Sequence, residues 1–190
     1  MADEGAMAED GPVDGQDVDD EEIDAADASP QVELAYGVPV TRSGGHIVLH
    51  ATPAQLVETA EALAADGFDQ LIDLCGVDYL THPGRVDLAD TVVGQRFEVV
   101  VALINHERRE RVRIRVQVPD DEPVVPTLFD VWPGAEVLER EAYDMFGITF
   151  ADHPDMTRIL MPEDWVGHPL RKDYAVGQIP VQFKGAPTTR

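Results

Sequence analysis

Two strand patterns lie back to back in the middle of the chain, and they restrict the fold more than any other feature. In residues 96–104, Phe97, Val99, Val101 and Leu103 fall on one side, with Val100, Ala102 and Ile104 on the other. A run this apolar predicts a central strand with both faces covered. Residues 105–110 turn the chain back. Residues 111–118 then alternate strictly, with Val112, Ile114, Val116 and Val118 pointing inward and Arg111, Arg113, Arg115 and Gln117 outward. The arginine row faces either an acidic partner or the chain's own carboxylates, and the second is the expectation.

Other elements assemble around this pair. Residues 46–50 and 71–80 read as strands, and 81–94 as a loop containing Pro83 and Gly84. Between those strands Thr52 is a helix N-cap, with Pro53 at the first helical position and Gln55 completing a capping box. Leu56, Ala60, Leu63 and Ala64 line one helical face, and Gly67 ends the helix. Pro119, Pro123 and Pro126 interrupt the strand pattern, 127–131 reads as a short helical turn, and 135–146 as a helix closed by Gly147. Beyond Ala151 apolar residues thin out while Pro154, Pro162, Pro169, Pro180 and Pro187 recur. That stretch reads as an extended segment whose bulky side chains need another protein's surface. The fold class is α+β, a mostly antiparallel sheet packed with helices and followed by an extended C-terminal segment that wraps a partner subunit. The expected division is 1–30 as an acidic disordered tail, 31–150 as the α+β domain and 151–190 as the partner-wrapping segment.

Composition excludes several functions. The 190 residues carry a formal charge of −23, and twelve of the 37 acidic residues but none of the 14 basic ones lie in residues 1–30. Phosphate backbones and anionic lipid headgroups repel such a chain, so neither nucleic acid nor direct membrane insertion is expected. The single cysteine, Cys75, rules out a disulfide within the chain and a thiolate-held iron–sulfur cluster, and it reads as a small buried residue. No glycine-rich nucleotide loop or nucleophile elbow is present.

One run, residues 139–174, concentrates charge, aromatic rings, glycine and proline. It begins Glu139-Arg140-Glu141-Ala142-Tyr143-Asp144-Met145-Phe146-Gly147-Ile148-Thr149-Phe150. It continues through His153-Pro154-Asp155, Arg158-Ile159-Leu160-Met161-Pro162, Trp165 and Gly167-His168-Pro169-Leu170-Arg171-Lys172-Asp173-Tyr174. As chemistry it suggests a hydrolase or metal enzyme using Glu141, Asp144 and His153. Helical spacing speaks against that: Glu139 and Glu141 diverge, Arg140 and Asp144 can pair at i,i+4, and Leu138, Ala142 and Met145 form the core-facing stripe. A docking surface suits the pattern better, with arginine and tryptophan as anchors.

The block resembles the family motif of the 30-kDa subunit (the C subunit) of proton-translocating NADH–quinone oxidoreductase, respiratory complex I. Gly76-Val77-Asp78-Tyr79, 96–100 and Pro133-Gly134-Ala135 also sit where that pattern has them, and the resemblance spans roughly 47–185. Ala175 departs from the family's usual proline. The resemblance implies a non-catalytic structural subunit of the hydrophilic arm of a translocase that passes electrons from NADH through FMN and iron–sulfur centres to quinone. It implies no cofactor in this chain, with FMN, clusters and quinone in partner subunits. The partners implied are the large quinone-site (49-kDa-type) subunit and other hydrophilic-arm subunits, and the location a peripheral one on the cytoplasmic side of the cell membrane. Its interface residues would be Glu139, Arg140, Glu141, Tyr143, Asp144, Phe146, Gly147, His153, Pro154, Arg158, Trp165, Gly167, His168, Pro169, Arg171, Lys172, Asp173 and Tyr174. The equivalent subunit of a membrane-bound hydrogenase or formate hydrogenlyase shares the fold and part of the motif.

Overall fold

The computed structural model describes residues 32–82, 84–85 and 88–175. The acidic tail at 1–30, and 176–190 of the C-terminal segment, lie outside the described residues.

The two strand patterns pair as expected. β5 (Phe97–Asn105) and β6 (Glu110–Val118) run antiparallel in unbroken register from Phe97↔Val118 to Asn105↔Glu110. β4 (Gln70–Asp78) adds on the outer side of β5, antiparallel, with a bulge between Leu71 and Asp73. On the other side β6 meets β3 (His46–Ala51) in parallel. β3 in turn pairs antiparallel with β2 (Val38–Ser43), which continues to a short β1 (Leu34–Ala35). The sheet order is therefore β1-β2-β3-β6-β5-β4. Its one parallel junction arises because α1 (Leu56–Ala65) carries the chain from β3 to the far edge, and the β4–β5–β6 meander then returns to β3.

The expected helix start is present. Gln55 Oε1 accepts from the Thr52 N–H at 3.2 Å and from its hydroxyl at 2.8 Å, and a 3-10 turn at Pro53–Gln55 leads into α1. α2 (Ala135–Phe146) ends at Gly147 in the left-handed region, φ +75°, with its N–H on the Tyr143 carbonyl at 2.8 Å. Both helices bury apolar residues against Phe97, Val99, Val101, Leu103, Val112, Ile114, Val116 and Val118, none more than 2% exposed. Each such side chain contributes on the order of 1.5–3 kcal/mol.

Three readings change. β1, β2 and the small parallel pair β7 (Val124–Pro126) and β8 (Thr149–Ala151) add strands that the sequence pattern did not mark. β5 lies inside the sheet, but its second face has no helical layer: Val100, Ala102 and Ile104 are only half-buried. Cys75 is exposed, not buried. On β4 the residues Leu74, Gly76 and Asp78 pair opposite Val101, Val99 and Phe97 on the helix-covered side, so alternation sends Cys75 to the other.

Candidate functional site

The crowded run folds into two parts, helix α2 and a strap, residues 152–175, that returns across the domain. Phe146 anchors the helix end on β4: its ring lies where a Cβ on Gly76 would be, 2.7 Å away, so only glycine permits the approach. A Cβ on Gly147 would likewise stand 2.7 Å from the His168 ring. Tyr143 meets the same imidazole edge-on, with centroids 5.9 Å apart at 67°.

Asp144 is the first clasp. It is 0% exposed, and its Oδ2 accepts from three successive backbone N–H groups, Ile159 at 3.1 Å and Leu160 and Met161 at 2.8 Å. The Arg158 guanidinium donates to Oδ1 and also to the Gly167 carbonyl at 2.9 Å. His168 Nδ1 lies 3.0 Å from the Asp144 carbonyl, and the Leu170 N–H caps Met145 at 3.0 Å. Burial pushes the Asp144 carboxyl up, but the backbone donors and Arg158 outweigh it and hold it below the usual carboxylate range. This replaces the expected Arg140–Asp144 pair. Arg140 instead reaches the strap, donating to the Thr157 carbonyl at 3.1 Å, the Thr157 hydroxyl at 2.9 Å and the Arg158 carbonyl at 3.1 Å.

The second clasp is Asp78, at the end of β4 and 4% exposed. Its Oδ2 accepts the Lys172 backbone N–H at 2.8 Å, and its Oδ1 accepts that of Leu80 at 2.9 Å. Arg96 bridges Asp78 at 3.1 Å, Asp120 at 2.9 Å and Asp173 at 2.8 Å. Arg171 adds Asp120 at 3.1 Å and lies 4.8 Å from the Phe97 ring centroid. Burial raises Asp78, yet Arg96 and the two N–H donors bring it below its ordinary value. Asp78, Arg96 and Asp120 were not among the expected site residues; the signal for the first two was their place in the upstream motif matches.

Glu139, also 0% exposed, holds a different joint. Its carboxylate accepts from the Thr127 hydroxyl at 2.6 Å and the Leu128 N–H at 2.7 Å, fixing the loop before α2. Burial raises its pKa, and those two bonds offset only part of the rise. His153 has a fully enclosed side chain 3.9 Å from Glu139. Its Nδ1 accepts the Asp155 N–H at 3.0 Å, which places the ring proton on Nε2, 3.1 Å from the Glu136 carbonyl. The expected core stripe shifts accordingly: Ala135, Glu139, Ala142, Asp144 and Met145 are buried, while Leu138 is half-buried.

Asp144 and His153 are committed elsewhere, and Glu141 is exposed. Asp144 grips the strap, and His153 is bonded through Nδ1 to the Asp155 N–H of its own turn and through Nε2 to the Glu136 carbonyl of α2. Among the described residues, no three His, Cys, Asp or Glu side chains are placed to hold a metal. Tyr174 packs on Gly167, Pro154 is exposed, Pro169 is half-buried, and Trp165 is half-buried with an enclosed, unbonded Nε1. On the strap Leu160, Val166 and Leu170 stand 59%, 87% and 49% exposed. No helix of the described residues is long and apolar enough to cross a membrane.

Comparison with known proteins places this architecture. A model of the family described as the respiratory-chain NADH dehydrogenase 30 Kd subunit matches residues 49–179. The NADH-quinone oxidoreductase C subunit of Acidothermus cellulolyticus is 43% identical over 145 residues, 75% of this chain and 70% of that protein. The corresponding protein of Roseiflexus castenholzii, of the same name, is 45% identical over 142 residues, 73% of this chain and 75% of that one. Among solved structures, the trypsin-resistant fragment (1-134) of Nqo5 aligns with TM-score 0.54 at 37% identity, over 63% of this chain and 89% of the fragment. A chain of the membrane-bound sulfane sulfur reductase, an archaeal respiratory membrane complex, aligns with TM-score 0.60 over 85% of this chain and 92% of its own. At 21% identity that second likeness is one of fold alone.

Proposed function

This chain belongs to the 30-kDa subunit family of respiratory-chain NADH dehydrogenase, and we propose that its part in the complex is positional. It is a C subunit of NADH–quinone oxidoreductase, in the hydrophilic arm. In our reading it contributes no catalytic centre and no cofactor; FMN, iron–sulfur clusters and quinone reside in partner subunits. It is held at the cytoplasmic side of the membrane through them. Its principal partner is the large quinone-site (49-kDa-type) subunit, received by the segment 151–190, which follows the α+β domain.

The observation that carries this reading is the use of Asp144. A general acid or base needs a free carboxyl facing a substrate. Here all of its accepting capacity is spent on Arg158 and three backbone N–H groups of the strap. The motif that marks the family therefore builds a joint, and the joint displays Leu160, Val166 and Leu170 outward.

A chain tagged and isolated from native membranes should bring the large quinone-site subunit and NADH:quinone activity with it. Recovery of the chain alone sinks the proposal. The sister-complex reading has one supporting observation, the likeness to the sulfane sulfur reductase chain, which reaches the fold only. A flavin-binding, NADH-oxidising subunit in the same preparation excludes it.

A further inference from the structure

The helices cover one face of the six-stranded sheet, and the other face is only half covered. At one end the loop after β4 lies over it. Arg85 and Arg115 both reach Glu98, which is 1% exposed, and the Gln95 N–H meets Gln117 at 3.1 Å. The other end is open. There the register sets Asp73, Ala102, Arg113 and Val48 in one row across four strands, with Ile104 and Arg111 in the next. A shallow cavity of about 300 Å³ is lined by His46, Ile72, Asp73, Ala102, Arg111 and Arg113.

The charges on this open half are out of line with the rest of the molecule. Arg42, Arg85, Arg96, Arg108, Arg115, Arg140, Arg158 and Arg171 all form ion pairs with carboxylates. Arg109, in the β5–β6 turn, and Arg111 and Arg113, on the strand, are exposed and pair with none among the described residues, in a chain of net charge −23, and only the latter two lie on this face. They project from the same side of β6, about 7 Å apart along the strand. Between and beside them the floor is apolar: Ile72 is 46% exposed, and Ala102 and Ile104 are half-buried. Two free guanidiniums on an apolar floor match a segment with carboxylates at that spacing and apolar side chains between them. Alternate residues of an extended strand, or one turn of a helix, supply it. Arginine suits the task because its planar fork receives a carboxylate bidentately.

We propose that this open half-face is a second docking surface, whose occupant is an acidic amphipathic segment of a neighbouring protein subunit. Its carboxylates pair with Arg111 and Arg113, and its apolar side chains cover Ile72, Ala102 and Ile104. Asp73, at the β4 end of the row, repels an acid there and so fixes which way the segment lies. The proposal rests on the chain being a subunit of a larger complex, but it concerns a face separate from the strap.

Cys75 is the chain's single cysteine and is exposed on this same face, so it reports on coverage without any engineering. Alkylation of Cys75 is timed in the purified complex and again in the chain released from it by chaotrope and refolded by dilution. Protection in the complex of roughly tenfold or more is expected. Equal rates, with the chain still retained in the complex, overturn the inference while leaving the family assignment intact. Charge is tested with Arg111→Glu/Arg113→Glu, and with Arg111→Gln/Arg113→Gln should the first pair fail to fold. Both should restore Cys75 reactivity in the assembled complex, and Arg111→Lys/Arg113→Lys should retain most of the protection. Protection unchanged by either pair overturns the acidic partner. A photo-crosslinker on Cys75 should capture a peptide with closely spaced Asp or Glu from another subunit. Capture of a second copy of this chain, of lipid, or of a peptide without acids also overturns it.

Discussion

Replacing Asp144 with asparagine keeps the shape of the first clasp and removes its charge. The amide oxygen can occupy the Oδ2 position and still meet Ile159, Leu160 and Met161, but the NH2 group then faces the Arg158 guanidinium. Turning the amide over is worse, because two donors would confront three donors. The better orientation therefore loses the ion pair with Arg158, a side chain only 13% exposed. It also reduces three charge-assisted bonds to ordinary ones. Breaking one partner out of a buried pair costs about 3–5 kcal/mol. The loss falls on the docking of the strap rather than on the sheet, since the bonds that Asp144 makes through its carboxylate all go to strap residues. Hydrogen exchange on the full chain reads this directly. Protection of the Ile159, Leu160 and Met161 amides should fall by roughly two to four orders of magnitude, up to the limit set by docking itself. Val99 and Val101 on β5 should keep their protection. Unchanged exchange at 159–161 would refute the clasp. Equal loss at β5 would refute the claim that Asp144 holds the strap and not the domain.

The other buried carboxylate of α2 should behave in the opposite way. Glu139→Gln leaves a neutral group where ionisation is already disfavoured, so the melting temperature should hold or rise at pH 7, read by calorimetry. The pH dependences also oppose each other. Asp144 and Asp78 are held below their ordinary values, so their stabilisation is full above about pH 3.9 and is lost as pH falls through the folded values. Acid titration monitored at the 159–161 and Lys172 amides should show the strap leaving before the sheet melts. Glu139 is raised, so its contribution is full below about pH 4.3 and lost as pH rises through the folded value, a slope that Glu139→Gln should remove. Gly76→Ala drives a methyl into the Phe146 ring and should destabilise by about 1–3 kcal/mol in urea unfolding, with most of the loss recovered when Phe146→Leu is added. Arg171→Ala should reduce the amount of intact complex more than the NADH:quinone turnover per assembled complex; full assembly with slow turnover would contradict a positional role.

What was legible in the sequence divides along physical lines. The β5–β6 hairpin, the capping box before α1 and the Gly147 stop of α2 depend on neighbours a few residues apart, and their patterns survive in the fold. β7 and β8 escaped notice because each is three residues long and exists only by pairing with the other, 25 positions away. The second face of β5 misled because Val100, Ala102 and Ile104 are as apolar as a buried side, though no helix covers them. Cys75 misled for the same reason, since an average burial habit cannot say on which face of an edge strand a residue falls. The motif was read as one run, but the contacts its residues make within the chain were not legible from helical spacing. Asp144 sits four residues from Arg140 on the helix, the arrangement helical spacing favours, yet it turns to Arg158. The reason is that three backbone N–H groups of the strap converge on the same oxygen, and helical spacing does not encode a segment that returns from fifteen residues away.

The chemistry of the two clasps bears on why this strap is built from charge. An extended segment can be fixed to a domain by burying its apolar side chains, but those side chains are then occupied. Here the strap is fixed by polar groups, its backbone N–H groups meeting Asp144 at one end and Asp78 at the other, with ion pairs through Arg158, Arg171 and Asp173. The carboxylates sit on the domain and the strap supplies N–H groups that almost any residue would have. Leu160, Val166 and Leu170 are thereby left facing out in a defined register. On the proposed reading, a partner meets a strap already ordered over much of its length, so less conformational entropy is lost at assembly. The same reasoning explains how a single chain can carry both fixed and receptive surfaces. Where its arginines meet its own acids it closes on itself, and on the docking proposal the exposed pair Arg111 and Arg113 presents charge to a neighbour.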